Sequence, residues 1–346
     1  MNTASPQIPP IANLSPLRAL NTLGIAATAR AYLRVTSAAD LQAVRANPDL
    51  SRLPRLILGG GSNLVLSGDF DGLVLHLVNQ GKCIVGEDET HVVVSAQAGE
   101  NWHEFVQWTL AQGVPGLENL SLIPGSVGAA PIQNIGAYGS ELKDFFHSLT
   151  YFDFSTGEIC VLDREVCRFA YRDSIFKHEL RHRAVILEVS FALPRQWKAN
   201  LSYAELAGEL SANRIAYPSA REISDAVVAI RRRKLPDPSV IGNAGSFFKN
   251  PIVTKENHAK LLEKYPQLVS YPQADGTVKL AAGWLIDQCG WKGKSLGAAG
   301  VHEKQALVLI NRGGASGADI LNLAQAIQDD VRQHFGVTLE IEPVVI

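Results

Sequence analysis

The sequence predicts an α+β protein of more than one domain, on three observations. At roughly 150 residues per domain, a length of 346 residues allows about two. Short strand-type runs joined by glycine turns fill the N-terminal part, whereas the C-terminal part is built of helices with short strands between them. Hydrophobic residues make up 46% and charged residues 19%, a balance that can bury a large core and excludes a disordered chain.

Taken in order, Met1 to Ser15 is polar and proline-bearing and reads as a disordered head. Asp40 to Arg45 reads as a short helix, and Leu53 to Leu58 as a strand running into Gly59-Gly-Gly-Ser-Asn63. Leu64 to Leu66 and Leu73 to Leu77 again have strand composition, so this glycine turn joins strand to strand. Val92 to Ala96 reads as a further strand. Asn101 to Gln112 reads as a helix with Trp102, Phe105, Val106 and Leu110 on one face, stopped by Gly113. From Leu120 to Ser140 no period survives, yet glycines and small residues recur, and a structureless stretch of this length in a compact domain is usually functional. Strands resume around Leu149 to Phe154 and Val185 to Leu193. Pro218 to Pro238 holds a short helical run and the basic cluster Arg231 to Lys234, after which a domain boundary is placed. Ser316-x-x-Asp319 is a capping box; Ile320, Leu323, Ala324, Ile327 and Val331 form one apolar helix face, and Gly336 is the stop. The tail Val337 to Glu342 alternates with period two, a strand pattern that shares Glu340 and Glu342 on one face.

Several function classes fall away. With 32 basic and 34 acidic residues, net charge −2, there is no field of the kind a phosphate-tracking nucleic-acid binder needs. No window approaches the ~18 apolar residues of a membrane span, and the head lacks the pattern of a secretory signal, so a soluble cytoplasmic protein without membrane insertion is expected. Cys83, Cys160, Cys167 and Cys289 form no C-x-x-C pair, and His178 and His182 have no third partner at ligand spacing, so no metal site is predicted and the thiols read as reduced and structural. No G-x-S-x-G elbow supports a serine hydrolase.

What remains are short motifs, each with a bland alternative. Gly59 to Asn63 fails the dinucleotide fingerprint, because Leu64 stands at the third glycine and no helix follows. It is either a tight turn or a nest of backbone N–H groups for an anionic phosphate. The second glycine-rich stretch, with Gly125, Gly128, Gly136 and Gly139, supports the nest, since two such loops can clamp one extended ligand. Tyr171-Arg-Asp-Ser174 is either a surface pair or a guanidinium fork for a carboxylate or developing oxyanion. In Gly242 to Pro251, Ser246, Lys249 and Asn250 stand beside two phenylalanines: either an anchored loop, or a hydroxyl placed as a proton carrier. Glu342 alone is an ordinary strand carboxylate.

Together, Leu58 to Asn63, Pro115-Gly-Leu-Glu-Asn119, Ile123 to Gly139, Tyr171 to Ser174, Gly245 to Pro251 and Ala281 to Cys289 closely resemble the UDP-N-acetylenolpyruvoylglucosamine reductase (MurB) family, over about Asn21 to Glu342. Leu201-Ser-Tyr203 resembles the tyrosine loop of the subtype common in Gram-negative bacteria. The resemblance implies a vanillyl-alcohol-oxidase-type (PCMH-type) FAD-binding fold: a first FAD subdomain at 16–80 joined by the C-terminal strand 337–346, a second at 81–235, and an α+β substrate domain at 236–336. It further implies bound FAD, with NADPH as co-substrate, and reduction of UDP-N-acetylglucosamine enolpyruvate to UDP-N-acetylmuramate for peptidoglycan synthesis, by a monomer. Matched position by position, Arg172, Ser246 and Glu342 are the implied catalytic residues. Gly60, Gly61, Ser62, Asn63, Pro124, Gly125, Gly128, Gly136 and Tyr138 are implied to line FAD. Tyr203, Lys234, Asn250, Tyr271 and Gln305 are implied to hold the nucleotide sugar. One position departs: Val344 stands where many relatives carry arginine. That opens the question of tail contact with FAD and of Glu342 against Glu340; the family pattern Leu-Glu-x-Glu favours Glu342. Two rivals stand beside this reading: a flavin oxidase using oxygen, and a nucleotide-sugar-binding protein without catalysis.

Overall fold

The computed structural model describes residues 10–346. Most of the expected disordered head lies outside the described residues, but its end does not: Ala12–Pro16 is a strand. That strand has one buried residue in five, so it is held by its backbone ladder at a sheet edge rather than by apolar side chains. Its polar composition is what made it read as disordered.

The chain forms two compact units, one of residues up to Ser15, Ala29–Gly60 and Asp71–Arg231, the other of Pro16–Thr28, Gly61–Phe70 and Arg232–Ile346. The sequence groups 16–28 and 61–70 with the first subdomain, whereas the structure gives them to the C-terminal unit. Buried Leu17, Leu23, Ile25, Val65 and Leu66, the pairing of Leu64–Val65 with Val344–Val345 and a few polar bonds accompany this, and no periodicity announces them. Asn21 closes its own turn by donating to the Leu17 and Ile25 carbonyls at 2.9 and 3.0 Å, and Thr22 Oγ1 donates to the Asn243 carbonyl at 2.6 Å.

The first unit holds two sheets. In one, Ala12–Pro16, Thr28–Val35, Phe70–Leu77 and Arg55–Leu58 lie in that order, the last two parallel. Its apolar face (Leu33, Val35, Leu73, Leu75, Leu77) packs on Leu41 and Val44 of the helix Ala38–Ala46. In the other, Ile159–Asp163, Phe146–Asp153, Ala184–Pro194, His91–Gln97 and Lys82–Glu87 form an antiparallel sheet in that order. The helix Trp102–Ala111, capped by Asn101, buries Trp102, Phe105 and Val106 beside Phe191 of this sheet. Cys167 lies in the same core, where burial pushes its thiol up to about 12, so it stays protonated.

Residues 120–140 are short 3₁₀ turns and paired dipeptides, as their lack of period predicts. The helical run after Pro218 is not short: Ala220–Lys234 spans 15 residues and buries Ile223, Val227 and Ile230 against Leu206 and Leu210 of the helix Ala204–Ala212.

In the second unit, Gly242–Ser246, Val308–Asn311, Ala299–Val301 and Ser295–Leu296 form one antiparallel sheet, and Ile252–Val253, Val278–Leu280 and Ser270–Pro272 another. The long helix Gly317–Phe335 begins at the Ser316 and Asp319 capping box and ends at Gly336, whose φ is +66°. The tail departs from expectation. Residues 337–342 make one isolated bridge, Ile341 to Phe248, and the ladder comes later, where Val344–Val345 run parallel to Leu64–Val65. The alternation still reports burial, with Val337 and Leu339 inside and Glu340 outside, but it does not need a full ladder.

Candidate active site

The two glycine loops meet within the first unit. A side chain on Gly60 would put its Cβ 2.9 Å from the Gly125 Cα, and one on Gly59 would collide with the Ser126 hydroxyl. Asn101 and Ser126 form a bridge that draws the second loop to the start of the helix Trp102–Ala111. Beside these residues lies a cavity of about 300 Å³ lined by Gly59, Gly60, Gly99, Asn101, Gly125 and Ser126, with Arg34 and His76 on its wall and no carboxylate. Burial and the Arg34 charge both lower the His76 pKa, which keeps its ring neutral, and Nδ1 lies 2.7 Å from the Tyr32 hydroxyl. The Ser126 Oγ is buried without an internal partner. Backbone approach, one arginine and an orphaned hydroxyl are groups able to donate to a phosphate-bearing ligand.

Further along the same unit the backbone is held in unusual shapes. Leu122, Asn134, Tyr138 and Arg172 have φ of 58°, 43°, 47° and 55°, left-handed conformations that a side-chain-bearing residue keeps only where its surroundings hold it. Arg172 donates to the Gly136 carbonyl at 3.0 Å, lies 5.2 Å from the Tyr171 ring, and accepts Lys177 Nζ on its own carbonyl at 2.8 Å. Its guanidinium is thus fixed beside the glycine loop, half-buried. The Tyr138 ring meets the Tyr203 ring edge-on at 5.2 Å. Arg231 donates to Tyr138 and, at 3.2 Å, to the Leu122 carbonyl, and dense surroundings lower its pKa against the opposing effect of Tyr138.

The second unit assembles another set. A bulge between Asn243 and Ser246 interrupts the ladder to Val308–Asn311, with Gly245 at φ 68° and its N–H donating to the Asn243 side chain at 3.0 Å. The bulge turns Ser246 outward, while Phe247 and Phe248 are 0% and 1% exposed. The two phenylalanines thus anchor the segment, and the Ser246 hydroxyl stays outward on that support. The tail runs alongside: the Glu342 N–H donates to the Phe247 carbonyl at 2.9 Å, and the Lys249 N–H to the Glu340 carbonyl at 2.9 Å. Lys249 Nζ pairs with the exposed Glu340 carboxylate at 2.9 Å, so the structure separates the two acids: Glu340 is committed to a surface pair, and Glu342 is half-buried. Two residues on, the tail reaches the first motif, as the Asn63 carbonyl accepts the Val344 N–H at 3.0 Å. Ser62 and Asn63 thus share a unit with Ser246 and Glu342, whereas Gly60 belongs to the other. Gly61 has φ 59°, and a Cβ there would collide with the Leu20 carbonyl.

Of the remaining positions, Asn250 Oδ1 accepts from the Ala282 N–H at 2.9 Å, and Gln305 Oε1 lies 3.2 Å from where a Gly283 Cβ would stand, so both flank the start of the helix Ala282–Gln288. Tyr271 is on the strand opposite Lys279, and Lys234 ends its helix. Pro124 and Gly125 precede, and Gly128 lies in, the 3₁₀ turn Val127–Gln133, with Gly128 against Ala98. Sequence reasoning missed Arg34, His76, Ser126, Asn119, Asn134 and Arg231. Arg34 and His76 lie in ordinary strand sequence and carry no signal. Asn119, Asn134 and Ser126 lie inside motifs already singled out, and Arg231 heads a visible basic cluster.

Two family models match: FAD binding domain over residues 29–163, and UDP-N-acetylenolpyruvoylglucosamine reductase, C-terminal domain, over residues 237–346. The chain is 58% identical to the UDP-N-acetylenolpyruvoylglucosamine reductase of Paraburkholderia phymatum over 333 residues, covering 96% of each chain. It is also 58% identical to that of Burkholderia orbicola, covering 96% of this chain and 95% of the relative. The crystal structure of the reductase (MurB) from Thermus caldophilus has the same fold, with a TM-score of 0.67 at 23% identity, covering 97% of this chain and 98% of that one. With its two-subdomain FAD-binding fold and C-terminal domain, the chain belongs to the UDP-N-acetylenolpyruvoylglucosamine reductase family.

Proposed function

We propose the residue roles by which this chain carries out its family's reaction, the NADPH-dependent reduction of UDP-N-acetylglucosamine enolpyruvate in peptidoglycan precursor synthesis. As a family member it is an FAD-dependent oxidoreductase. Bound FAD supplies hydride, taken from NADPH, to the vinyl carbon of the enolpyruvyl ether. In this reading Gly60, Gly61, Ser62, Asn63, Pro124, Gly125, Gly128, Gly136 and Tyr138, with Ser126 and Arg34, hold this cofactor. The close approach of the two glycine loops at Gly59, Gly60 and Gly125, the unmatched Ser126 hydroxyl and the absence of carboxylates among the lining residues fit a pyrophosphate.

Hydride addition leaves negative charge on the carbon bearing the carboxylate, so the chain must supply a cation, a polarising group and one proton. In this reading Ser246 Oγ delivers the proton to that carbon, and Arg172 and Glu342 stabilise and polarise the intermediate. Tyr203, Lys234, Asn250, Tyr271 and Gln305 orient the nucleotide sugar. The observation that carries the roles is the bond from the Glu342 N–H to the Phe247 carbonyl, which sets the acid beside the bulge that turns Ser246 outward. A cytoplasmic monomer is the form proposed, consistent with a chain whose described helices are all too short or polar to cross a membrane.

The test is stopped-flow absorbance in the flavin band, mixing first with NADPH and then with the enolpyruvyl substrate without oxygen. Bleaching followed by substrate-dependent recovery is expected. A protein that stays colourless after incubation with FAD overturns the reading, and recovery only with oxygen supports an oxidase.

A further inference from the structure

Two loops with different implied ligands are tied together by one buried side chain. Asn119 is 1% exposed, and its amide donates to the Tyr138 carbonyl at 2.8 Å and to the Asn200 carbonyl at 2.9 Å. Its Oδ1 is left buried without a partner. Asn200 repeats the tie: its amide donates to the Gly139 carbonyl at 2.9 Å and to Ser140 Oγ at 3.0 Å, while its Oδ1 accepts Ser202 N–H and Oγ at 3.1 and 2.7 Å. Segment 138–140 is thereby laced to segment 200–202, and a Cβ on Gly139 would collide with the Ser202 hydroxyl. The left-handed backbone at Tyr138 and Gly139, φ 47° and 83°, persists only while its surroundings over-determine it. Across this lacing the Tyr138 and Tyr203 rings meet at 5.2 Å.

We propose that Asn119 and Asn200 are positioning residues that couple the two loops, so that FAD ordering the Tyr138 segment presets Tyr203, and a nucleotide sugar held at Tyr203 tightens FAD in return. This rests on the reading above in which Tyr138 lines FAD and Tyr203 meets the sugar. A shared, over-determined element biased by both ligands is what coupling requires, and the coupling must be reciprocal.

The test uses the holoenzyme without NADPH. FAD dissociation is followed by the fluorescence of released flavin, with and without saturating UDP-N-acetylglucosamine enolpyruvate. Wild type is expected to hold FAD at least ~10-fold more tightly with the sugar present, a coupling within the usual range. Asn200→Asp keeps the acceptor for Ser202 but has no N–H for Gly139, and should cut that ratio at least ~3-fold, with Asn119→Asp acting alike. A merely structural role weakens FAD equally with and without the sugar; an unchanged ratio in both variants overturns the proposal. Should both variants misfold, Ser202→Ala, at an exposed position, carries the test: a reduced ratio supports the coupling, and the wild-type ratio overturns it. A Tyr203→Phe control separates the two levels, because sugar affinity unaffected by that change refutes the underlying assignment instead.

Discussion

The loops around Gly60 and Gly125 and the segment around Ser246 solve opposite problems. In the first, the functional surface is backbone, and side chains are kept out: positions 59, 60 and 128 have no room for a Cβ without moving a neighbour. In the second, the proposed functional surface is one outward hydroxyl, and the segment is anchored by two buried phenylalanines and clasped by the tail. The first arrangement makes binding depend on the closeness of two chains. The second, on the role proposed for Ser246, makes chemistry depend on one side chain whose loss leaves the support intact. The difference teaches which kind of damage each region can suffer, and substitutions should separate along that line.

The largest effect is expected where the hydroxyl is removed. Ser246→Ala should leave bleaching by NADPH fast and slow reoxidation by the enolpyruvyl substrate by at least ~10²-fold, the loss of a positioned proton donor. Equal slowing of both half-reactions would refute the assignment. Next comes the cradle. Gly60→Ala places a methyl 2.9 Å from the Gly125 Cα, backbone that must shift. Overpacking of this kind costs about 1–3 kcal/mol, so FAD affinity should fall roughly 10–100-fold in a fluorescence titration. Reoxidation per bound flavin should stay near wild type. A Gly60→Ala enzyme that binds FAD normally breaks the comparison at its first term.

How much of this was legible follows the same line. The glycine loops and the Ser246 segment were visible because both depend on local sequence: small residues where chains touch, a hydroxyl and amide set in an apolar stretch. The capped helix at Ser316 was visible for a related reason, since its start, face and stop lie on consecutive residues. What stayed hidden depends on distant partners. Nothing near Thr22 says that its hydrogen bond to the Asn243 carbonyl ties 16–28 to the C-terminal residues. Arg34 and His76 sit in adjacent strands of one sheet, and only the pairing of those strands brings them to one cavity wall. The tail shows both cases at once. Its alternation reported which side chains are buried, but its ladder is with Leu64–Val65, far away in sequence.

Acid should discriminate the units more gently. In the first unit Asp153 is 1% exposed, and Arg183 Nε donates to both its oxygens at 2.8 and 2.9 Å, which with Ser155 holds the carboxyl far below the usual range. A carboxylate depressed in the folded state adds stability above its unfolded pKa of about 4, and that stability is lost as pH falls. Asp275 and Asp319 of the second unit are also depressed, by Thr277 and Ser316, but both are exposed and contribute little. Asp153→Asn should therefore destabilise by about 1–3 kcal/mol at pH 7, with the loss shrinking toward pH 3 in thermal melts. A pH-independent loss would remove the charge from the account.

The smallest effect is the most discriminating, because it falls within one short stretch of tail. Glu340 and Glu342 are two residues apart, and periodicity alone gives them equal claims. Their surroundings do not. Glu340 is exposed and bonded to Lys249 across the surface, the kind of pair that contributes ~0–1 kcal/mol. Glu342 is half-buried, and its backbone lies between Phe247 and Asn63, next to the proton donor proposed here. Glu340→Gln should accordingly leave both half-reactions within about twofold of wild type and melting unchanged within the range of a surface pair. Glu342→Gln should slow reoxidation at least ~10-fold with flavin reduction and FAD affinity preserved. If the two substitutions act alike, position along the clasp does not select the acid. If Glu340→Gln is instead the damaging one, the Lys249 pair is part of the chemistry, and the roles of the two tail acids must be exchanged.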